Sequence, residues 1–177
     1  SSMQFSGASA RIVYSRYGSR AISWVHIGPL MRTERNIQNA AGFLHTFELN
    51  EYNAPTIVLN NGSNTMITDC GSESCPSADM RRIGGDWYNV SFKLNGDNPI
   101  LSYQGPSAPG KRSGLNIGRC TTRSCSTIES KTIEDWAAWG SLQLNAGKPV
   151  VAYMSSNNRE LKIVFCDTPV AGDACPG

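Results

Sequence analysis

Short apolar runs of strand length recur along the chain, separated by polar stretches rich in Asn, Gly and Pro. The runs IVY, TIVL, ILSY and VVAY are β-branched or aromatic, and ISWVHI and LKIVF alternate in part between apolar and polar positions. Such runs predict β-strands packed on one face, and the Asn-Gly and Gly-Lys-Pro steps between them predict turns. No segment has a convincing period of about 3.6 residues. The chain is therefore predicted to be all-β.

The predicted strands belong to a repeat. The segments FELNEYNAPTIVL, FKLNGDNPILSY and LQLNAGKPVVAY align, and each contains a Leu-Asn pair followed by a proline. A large side chain, Leu59, Tyr103 or Tyr153, stands four residues after each proline. A degenerate first copy places Phe5 at the Leu position and Ala10 at the Pro position. The chain thus contains four copies.

Each copy spans 44 to 50 residues and holds four strand-like segments, the fourth of which carries Ile37, Ile83 or Ile133. Repeats of this length with four strands predict the blades of a β-propeller. A β-trefoil has units of similar size but needs three copies, whereas this chain has nearly four. We therefore predict a single β-propeller domain over residues 1–177, with blades at approximately 1–40, 41–85, 86–134 and 135–177.

The pattern W…S-L-x-L-N…P-x-x-x-Y…L-x-x-x-x-C also resembles the repeats of secreted bacterial β-propeller proteins of the broad sialidase-like type. The resemblance covers almost the whole chain. It implies a fold rather than a function, because propellers serve as binding proteins, hydrolases and scaffolds.

The six cysteines form three pairs, each directly after the third strand of its repeat: Cys70 with Cys75, Cys120 with Cys125, and Cys166 with Cys175. One disulfide per blade accounts for the even count. Zinc ligation is the alternative, but the pairs lie about 50 residues apart and lack the close spacing of zinc ribbons. Disulfides predict an extracytoplasmic protein, secreted or at the cell surface. Neither a metal site nor a cofactor is predicted.

The repeat also predicts that the last blade lacks its outer strand, because too few residues follow Cys166 to complete it. Two arrangements fit this count. The chain forms either a compact four-bladed propeller with one three-stranded blade, or part of a larger ring that a second copy closes, since twofold dimers are common. A fragment of a longer propeller protein is a third alternative.

Charge and hydropathy narrow the classes of partner. The 16 basic and 14 acidic residues are scattered and leave a formal charge of +2, so no nucleic-acid partner is predicted. No apolar run reaches the roughly 20 residues of a membrane span. A signal segment is not visible in this chain.

Propeller ligands usually bind where loops join the second strand to the third and one blade to the next. Polar side chains in the first kind of loop could hydrogen-bond to hydroxyl-rich or carboxylate ligands, and the candidates are Arg16, Arg20, Asn61, Asn64, Gln104, Arg112, Asn157 and Arg159. The alternative is that these loops are ordinary solvated turns.

The blade-joining loops contribute Asp86-Trp87 and Asp135-Trp136, with Trp139 close by. An aromatic ring beside a carboxylate suits a sugar, because the ring stacks on the apolar sugar face while the carboxylate accepts hydrogen bonds from hydroxyls. The alternative is that each tryptophan packs between blades as core. Recurrence at one register position favours core packing.

The function predicted from the sequence is an extracytoplasmic binding or assembly module, with a glycan as candidate ligand and self-association into a closed ring as candidate assembly. The alternative is a sialidase-like extracellular glycoside hydrolase, which would need opposed carboxyl groups, or a tyrosine nucleophile with an arginine cluster. No catalytic residue is assigned, because the repeated tyrosines fit core positions and no S-x-D-x-G-x-x-W box is present.

Overall fold

The computed structural model describes residues 2–15, 21–76, 79–96, 98–106 and 113–167. The residues in these ranges form fifteen β-strands and no helix, which confirms the predicted all-β class. The chain divides into two compact units, unit 1 over Ser1–Gly84 and unit 2 over Gly85–Gly177. Each unit contains two antiparallel sheets, and in every sheet the strands follow chain order from one edge to the other.

Unit 1 holds eight strands in two four-stranded sheets. Its first sheet contains β1 (Ser2–Ser6), β2 (Ser9–Ser15), β3 (Ala21–Ile27) and β4 (Arg32–Ala41). Its second sheet contains β5 (Phe43–Leu49), β6 (Pro55–Asn60), β7 (Thr65–Asp69) and β8 (Arg81–Gly84).

Unit 2 repeats the same design. Its first sheet contains β9 (Tyr88–Asn95), β10 (Asn98–Pro106), β11 (Ser113–Cys120) and β12 (Ile128–Asp135), and its second contains β13 (Ala137–Asn145), β14 (Lys148–Ser155) and β15 (Glu160–Phe165). Within the described residues this last sheet has three strands. The predicted lack of a fourth strand concerns residues 168–177, which lie outside the described ranges, and the single domain over 1–177 stays a prediction.

The strand register confirms the four-copy repeat. In each sheet the residue at the Leu position of the first strand pairs with the residue at the Pro position of the second: Phe5 with Ala10, Leu49 with Pro55, Leu94 with Pro99, and Leu144 with Pro149. The Asn that follows the Leu shapes the intervening turn, since the Asn50 Oδ1 accepts hydrogen bonds from the backbone N–H groups of Tyr52 and Ala54.

The cores lie between the two sheets of each unit. In unit 1, Trp24 packs edge-to-face on Phe47, with ring centroids 6.1 Å apart, among buried aliphatic side chains. In unit 2, Leu115, Leu142 and Tyr153 belong to one buried cluster. Period-two alternation on the inner strands points these apolar side chains toward the neighbouring sheet.

Two of the predicted disulfides are confirmed. Cys70 bonds to Cys75 between β7 and β8, and Cys120 bonds to Cys125 between β11 and β12. Cys166 is also disulfide-bonded, while its predicted partner Cys175 lies outside the described residues. Each disulfide loop closes beside the outer strand of its sheet.

The joint between the two sheets of unit 1 leaves no room for a side chain at Gly42. A Cβ there would stand 2.3 Å from the Asn60 carbonyl oxygen and 2.7 Å from the Leu59 Cδ1. We expect Gly42→Ala to lower the free energy of unfolding by about 1–3 kcal/mol, because backbone has to move. Gly71→Ala is the matched control, since no atom lies within 4 Å of its Cβ position. Urea denaturation of both variants compares them, and equal stability would contradict the expected clash.

Candidate functional site

The predicted ligand loops of unit 2 lie at one end of its sheets. This end contains the starts of β9 and β13, the end of β12, and the turn between β14 and β15. Asp86, Asp135 and Trp136 are exposed here, as are Asn157 and Arg159 in the turn. The turn and the blade joint are held together, because the backbone N–H of Ser156 donates to the carbonyl of Trp136 over 2.7 Å.

The two Asp-Trp pairs do not occupy the same register position, contrary to the sequence alignment. Tyr88 pairs with Gln104 in β10, and Ala138 pairs with Met154 in β14. Because Gln104 and Met154 each follow the repeated tyrosine, Tyr88 corresponds to Ala138. It follows that Trp87 corresponds to Ala137 and that Trp136 corresponds to Asp86.

This one-residue offset separates the environments of the two tryptophans, since side chains alternate between the faces of a strand. Trp87 is 7% exposed and its ring stacks on Tyr103, with centroids 3.7 Å apart and an interplanar angle of 13°. Trp136 is 42% exposed. Trp87 is therefore packed in the core, as one of the two alternatives predicted for these tryptophans. Trp136 instead presents aromatic surface to solvent.

A β-bulge at the start of the first strand turns a second tryptophan outward. In β13, Trp139 and Gly140 stand opposite the single residue Tyr153, and in β9, Asn89 and Val90 stand opposite Tyr103. Trp139 is 69% exposed. The φ angles of Trp139 and Trp136 are +53° and +65°, a region that costs free energy for bulky residues. Such strain concentrates where a side chain is held in place for binding.

Tyr88 lies at the same end of unit 2 as the two tryptophans. The Ser91 Oγ in β9 accepts a hydrogen bond from the Leu142 N–H in β13 at 3.0 Å. Tyr88 stands three residues before Ser91, and Trp139 stands three residues before Leu142. Both therefore lie near the starts of their strands, at the same end of the unit. We call the three exposed rings of Tyr88, Trp136 and Trp139 the aromatic face.

Polar groups flank the aromatic face. The Tyr88 hydroxyl donates to the Asp86 carboxylate, and this hydrogen bond, with the negative charge of Asp86, raises the pKa of Tyr88. The Asn89 amide donates to the Gln104 Oε1 over 2.9 Å. Of the residues predicted for the ligand loops, Asp86 and Gln104 thus lie with Asp135 and Trp136 at the same end of unit 2.

A hydrogen-bonded carboxylate lies beneath this end, between the two sheets of unit 2. Glu134 in β12 accepts hydrogen bonds from the Tyr153 hydroxyl (2.9 Å), the Ser155 hydroxyl and the Lys162 Nζ (2.9 Å). Burial alone would raise the pKa of Glu134, but the three donors and the Lys162 charge outweigh it, so the pKa is lowered. Burial and the same carboxylate raise the pKa of Tyr153 to about 12.

Of the five remaining predicted ligand residues, the structure describes two. Asn61 and Asn64 belong to unit 1, where the Asn61 N–H donates to the Asn64 carbonyl across the turn between β6 and β7. Arg16, Arg20 and Arg112 lie outside the described residues.

The described residues contain no group of three or more His, Cys, Asp or Glu side chains that could hold a metal ion. In the same ranges, no helix is long and apolar enough to cross a bilayer.

No protein-family model matches the chain, and no curated protein matches it in sequence. Solved structures are similar to it in fold. An exo-1,5-α-L-arabinanase from a bovine ruminal metagenomic library superposes with a TM-score of 0.52 at 10% identity, covering 97% of this chain and 74% of that chain. The α-L-arabinanase of Cellvibrio cellulosa in complex with arabinohexaose gives 0.52 at 10% identity, covering 99% and 75%.

An α-L-arabinofuranosidase from Clostridium thermocellum also gives a TM-score of 0.52, at 12% identity over 93% of this chain and 67% of that chain. At such identities the likeness concerns fold alone. Together with the four blade-like sheets, it assigns the chain to the β-propellers, as predicted. The comparisons thus support the propeller fold that the resemblance implied, and not the sialidase-like type in particular.

Sequence reasoning did not assign Trp139, Tyr88 or Glu134 to a site. In the sequence Trp139 is only a neighbour of the second Asp-Trp pair, because a single sequence does not reveal a β-bulge. Asn89, whose φ is also positive, was the one available signal, since Asn adopts this conformation more readily than other residues with side chains.

Proposed function

We propose that the protein is an extracytoplasmic carbohydrate-binding β-propeller and that the aromatic face of unit 2 is its ligand site. The observation that carries this proposal is the exposure of Trp136 and Trp139 at strained backbone positions, beside Asp86 and Asp135. Both indole rings therefore present apolar surface to water, 42% of Trp136 and 69% of Trp139 being exposed. A sugar ring stacked on indole would shield this apolar surface from water.

The flanking groups suit hydroxyl recognition. Carboxylate oxygens of Asp86 and Asp135 accept hydrogen bonds from sugar hydroxyls, whereas Asn157 and Arg159 can donate to them. Each of these residues is exposed at the same end of unit 2. This combination of apolar rings and a few polar groups is typical of ligand sites.

Titration with arabinohexaose tests the proposal, because that ligand is bound by a protein of similar fold. We expect saturable binding by calorimetry, and affinity about two- to tenfold weaker in Trp139→Ala, since one stacking contact contributes about 0.5–1.5 kcal/mol. Xylohexaose and cellohexaose in parallel define the sugar preference.

Phe165→Ala is the matched control, because Phe165 is an exposed aromatic residue near the opposite end of the same sheet. Its affinity should equal that of the unchanged protein. Absence of binding to all three oligosaccharides, or equal losses in Trp139→Ala and Phe165→Ala, would refute the aromatic face as the site.

Glycoside hydrolysis is the second candidate, because the proteins of similar fold include an arabinanase and an arabinofuranosidase. Such chemistry generally uses one carboxyl group with a raised pKa as general acid. Glu134 does not suit that role, because its pKa is lowered and its oxygens are occupied by three donors. Chromatography of the oligosaccharides after incubation distinguishes the candidates: intact ligand supports binding, and released sugar supports hydrolysis.

The extracytoplasmic location is supported by the two disulfide loops, which persist in oxidising compartments. The sialidase-like subtype and self-association into a closed ring stay predictions from the sequence repeat.

A further inference from the structure

Unit 1 contains a cleft of about 420 Å³ at the end where β3 turns into β4. This volume falls within the range of about 300–1,000 Å³ that small-molecule sites occupy. The cleft shares no residue with the aromatic face, which belongs to unit 2.

The two walls of the cleft are built from different sheets. One wall is formed by β3 and β4 of the first sheet, in which Trp24 pairs with Arg35 and His26 pairs with Thr33. The other wall is the Cys70–Cys75 loop, which supplies Ser72, Glu73 and Ser74.

The disulfide loop is held in shape before any ligand arrives. Its disulfide closes a six-residue ring of chain, and the Cys75 N–H donates to the Ser72 carbonyl over 3.1 Å inside it. The hydroxyls of Ser72 and Ser74 lie 3.1 Å apart. A wall of fixed hydroxyl groups lowers the entropic cost of ordering the site on binding.

The single carboxylate of the cleft is already neutralised. Glu73 accepts a hydrogen bond from the Arg11 guanidinium, and its Oε1 lies 3.7 Å from the His26 Nδ1. Arg11 is only 4% exposed, and its Nε and Nη1 have no hydrogen-bond partner in the described residues. The Arg11–Glu73 pair therefore leaves no net charge, but two donor nitrogens of Arg11 have no acceptor among the described residues.

Arg35 supplies a second, accessible cation. It is exposed on β4, lines the cleft and forms no ion pair within the described ranges. A free guanidinium beside two hydroxyls and an indole is the donor set that binds a carboxylate attached to a hydroxylated ring, because guanidinium groups match carboxylates in shape and charge.

We propose that this cleft binds a small ligand that carries a carboxylate beside several hydroxyl groups, the chemistry of a sugar acid. Arg35 donates to the carboxylate, and Ser72, Ser74 and Thr33 exchange hydrogen bonds with the hydroxyls. Met31 at the rim contacts the apolar face of the ring. This site is independent of the proposed carbohydrate site in unit 2.

Nuclear magnetic resonance titration of the full chain with galacturonate tests the proposal, with galactose and inorganic phosphate as comparison ligands. We expect saturable shifts at the Trp24 indole N–H and at the amides of Ser72 and Ser74 with galacturonate. Galactose should bind more weakly because it lacks the carboxylate. Arg35→Gln should weaken galacturonate binding about tenfold or more, since hydrogen bonds to charged groups are the strong ones.

Arg81→Gln is the matched control, because Arg81 is an exposed arginine of the same unit that does not line the cleft. It should bind galacturonate as the unchanged protein does. The proposal is overturned if no resonance of the cleft responds, if phosphate binds as tightly as galacturonate, or if Arg35→Gln and Arg81→Gln behave alike. Trp139→Ala should leave galacturonate binding at the cleft unchanged, so failure of the aromatic face and failure of the cleft are separate results.

Discussion

Replacing Glu134 by alanine is expected to lower the free energy of unfolding by about 3 kcal/mol, because three hydrogen bonds of about 1 kcal/mol each are lost. The Tyr153 hydroxyl and the Ser155 hydroxyl would be left without this acceptor, and Lys162 would lose its ion-pair partner. The ion pair is partly buried, so removing Glu134 leaves Lys162 partly desolvated without its partner. Urea denaturation at neutral pH measures the loss.

Glu129→Ala is the control for this change. Glu129 lies in the same strand, β12, and is exposed. Exposed substitutions usually change stability by less than about 0.5 kcal/mol. If the two variants lost equal stability, the Glu134 hydrogen bonds would contribute nothing to the packing of one sheet on the other.

The contribution of Glu134 should also depend on pH. Its pKa in the folded protein is lower than its usual value of 4.5, so the folded state binds its proton less readily than the unfolded state. The stabilisation is therefore fully present above pH 4.5 and is lost as the pH falls through the folded pKa. Stability measured against pH should fall less steeply over this acidic range in Glu134→Gln than in the unchanged protein.

The repeat made much of the fold predictable from sequence. The Leu-Asn and Pro positions identified the copies of the repeat, and the structure shows these positions paired across the first hairpin of each sheet, because a turn of nearly constant length fixes the register. The cysteine spacing predicted two disulfide loops that the structure confirms, because a disulfide between neighbouring strands needs only local geometry.

The site was less predictable, because it depends on contacts that the repeat does not encode. Glu134 meets Tyr153 and Lys162 only because β12 of one sheet lies within hydrogen-bond reach of β14 and β15 of the next. The bulge at Trp139 inserts one residue that no turn-forming sequence marks. Counting from the Leu and Pro positions of the repeat therefore cannot reveal which way the Trp139 side chain points. The same limitation misaligned the two Asp-Trp pairs by one residue.

That one-residue offset leads to opposite expectations for two tryptophans with the same preceding residue. Trp87→Ala should lower the free energy of unfolding by about 3–5 kcal/mol, because it removes a buried ring stacked on Tyr103 and leaves a cavity. Trp136→Ala should lower it by much less than Trp87→Ala does, because 42% of Trp136 is exposed and its removal leaves a smaller cavity. Thermal and urea denaturation of the two variants give the comparison.

Oligosaccharide binding should distinguish the tryptophans in the opposite way: the residue that matters less for stability, Trp136, should matter more for affinity. Trp136→Ala is expected to weaken oligosaccharide affinity about two- to tenfold, as one lost stacking contact would, while leaving the fold intact. Trp87→Phe keeps an aromatic ring at the Tyr103 stack, so we expect it to recover most of the stability that Trp87→Ala loses and to bind as the unchanged protein does. Equal destabilisation by Trp87→Ala and Trp136→Ala would instead mean that both rings are core, as repetition of the Asp-Trp pair suggests when strand register is ignored.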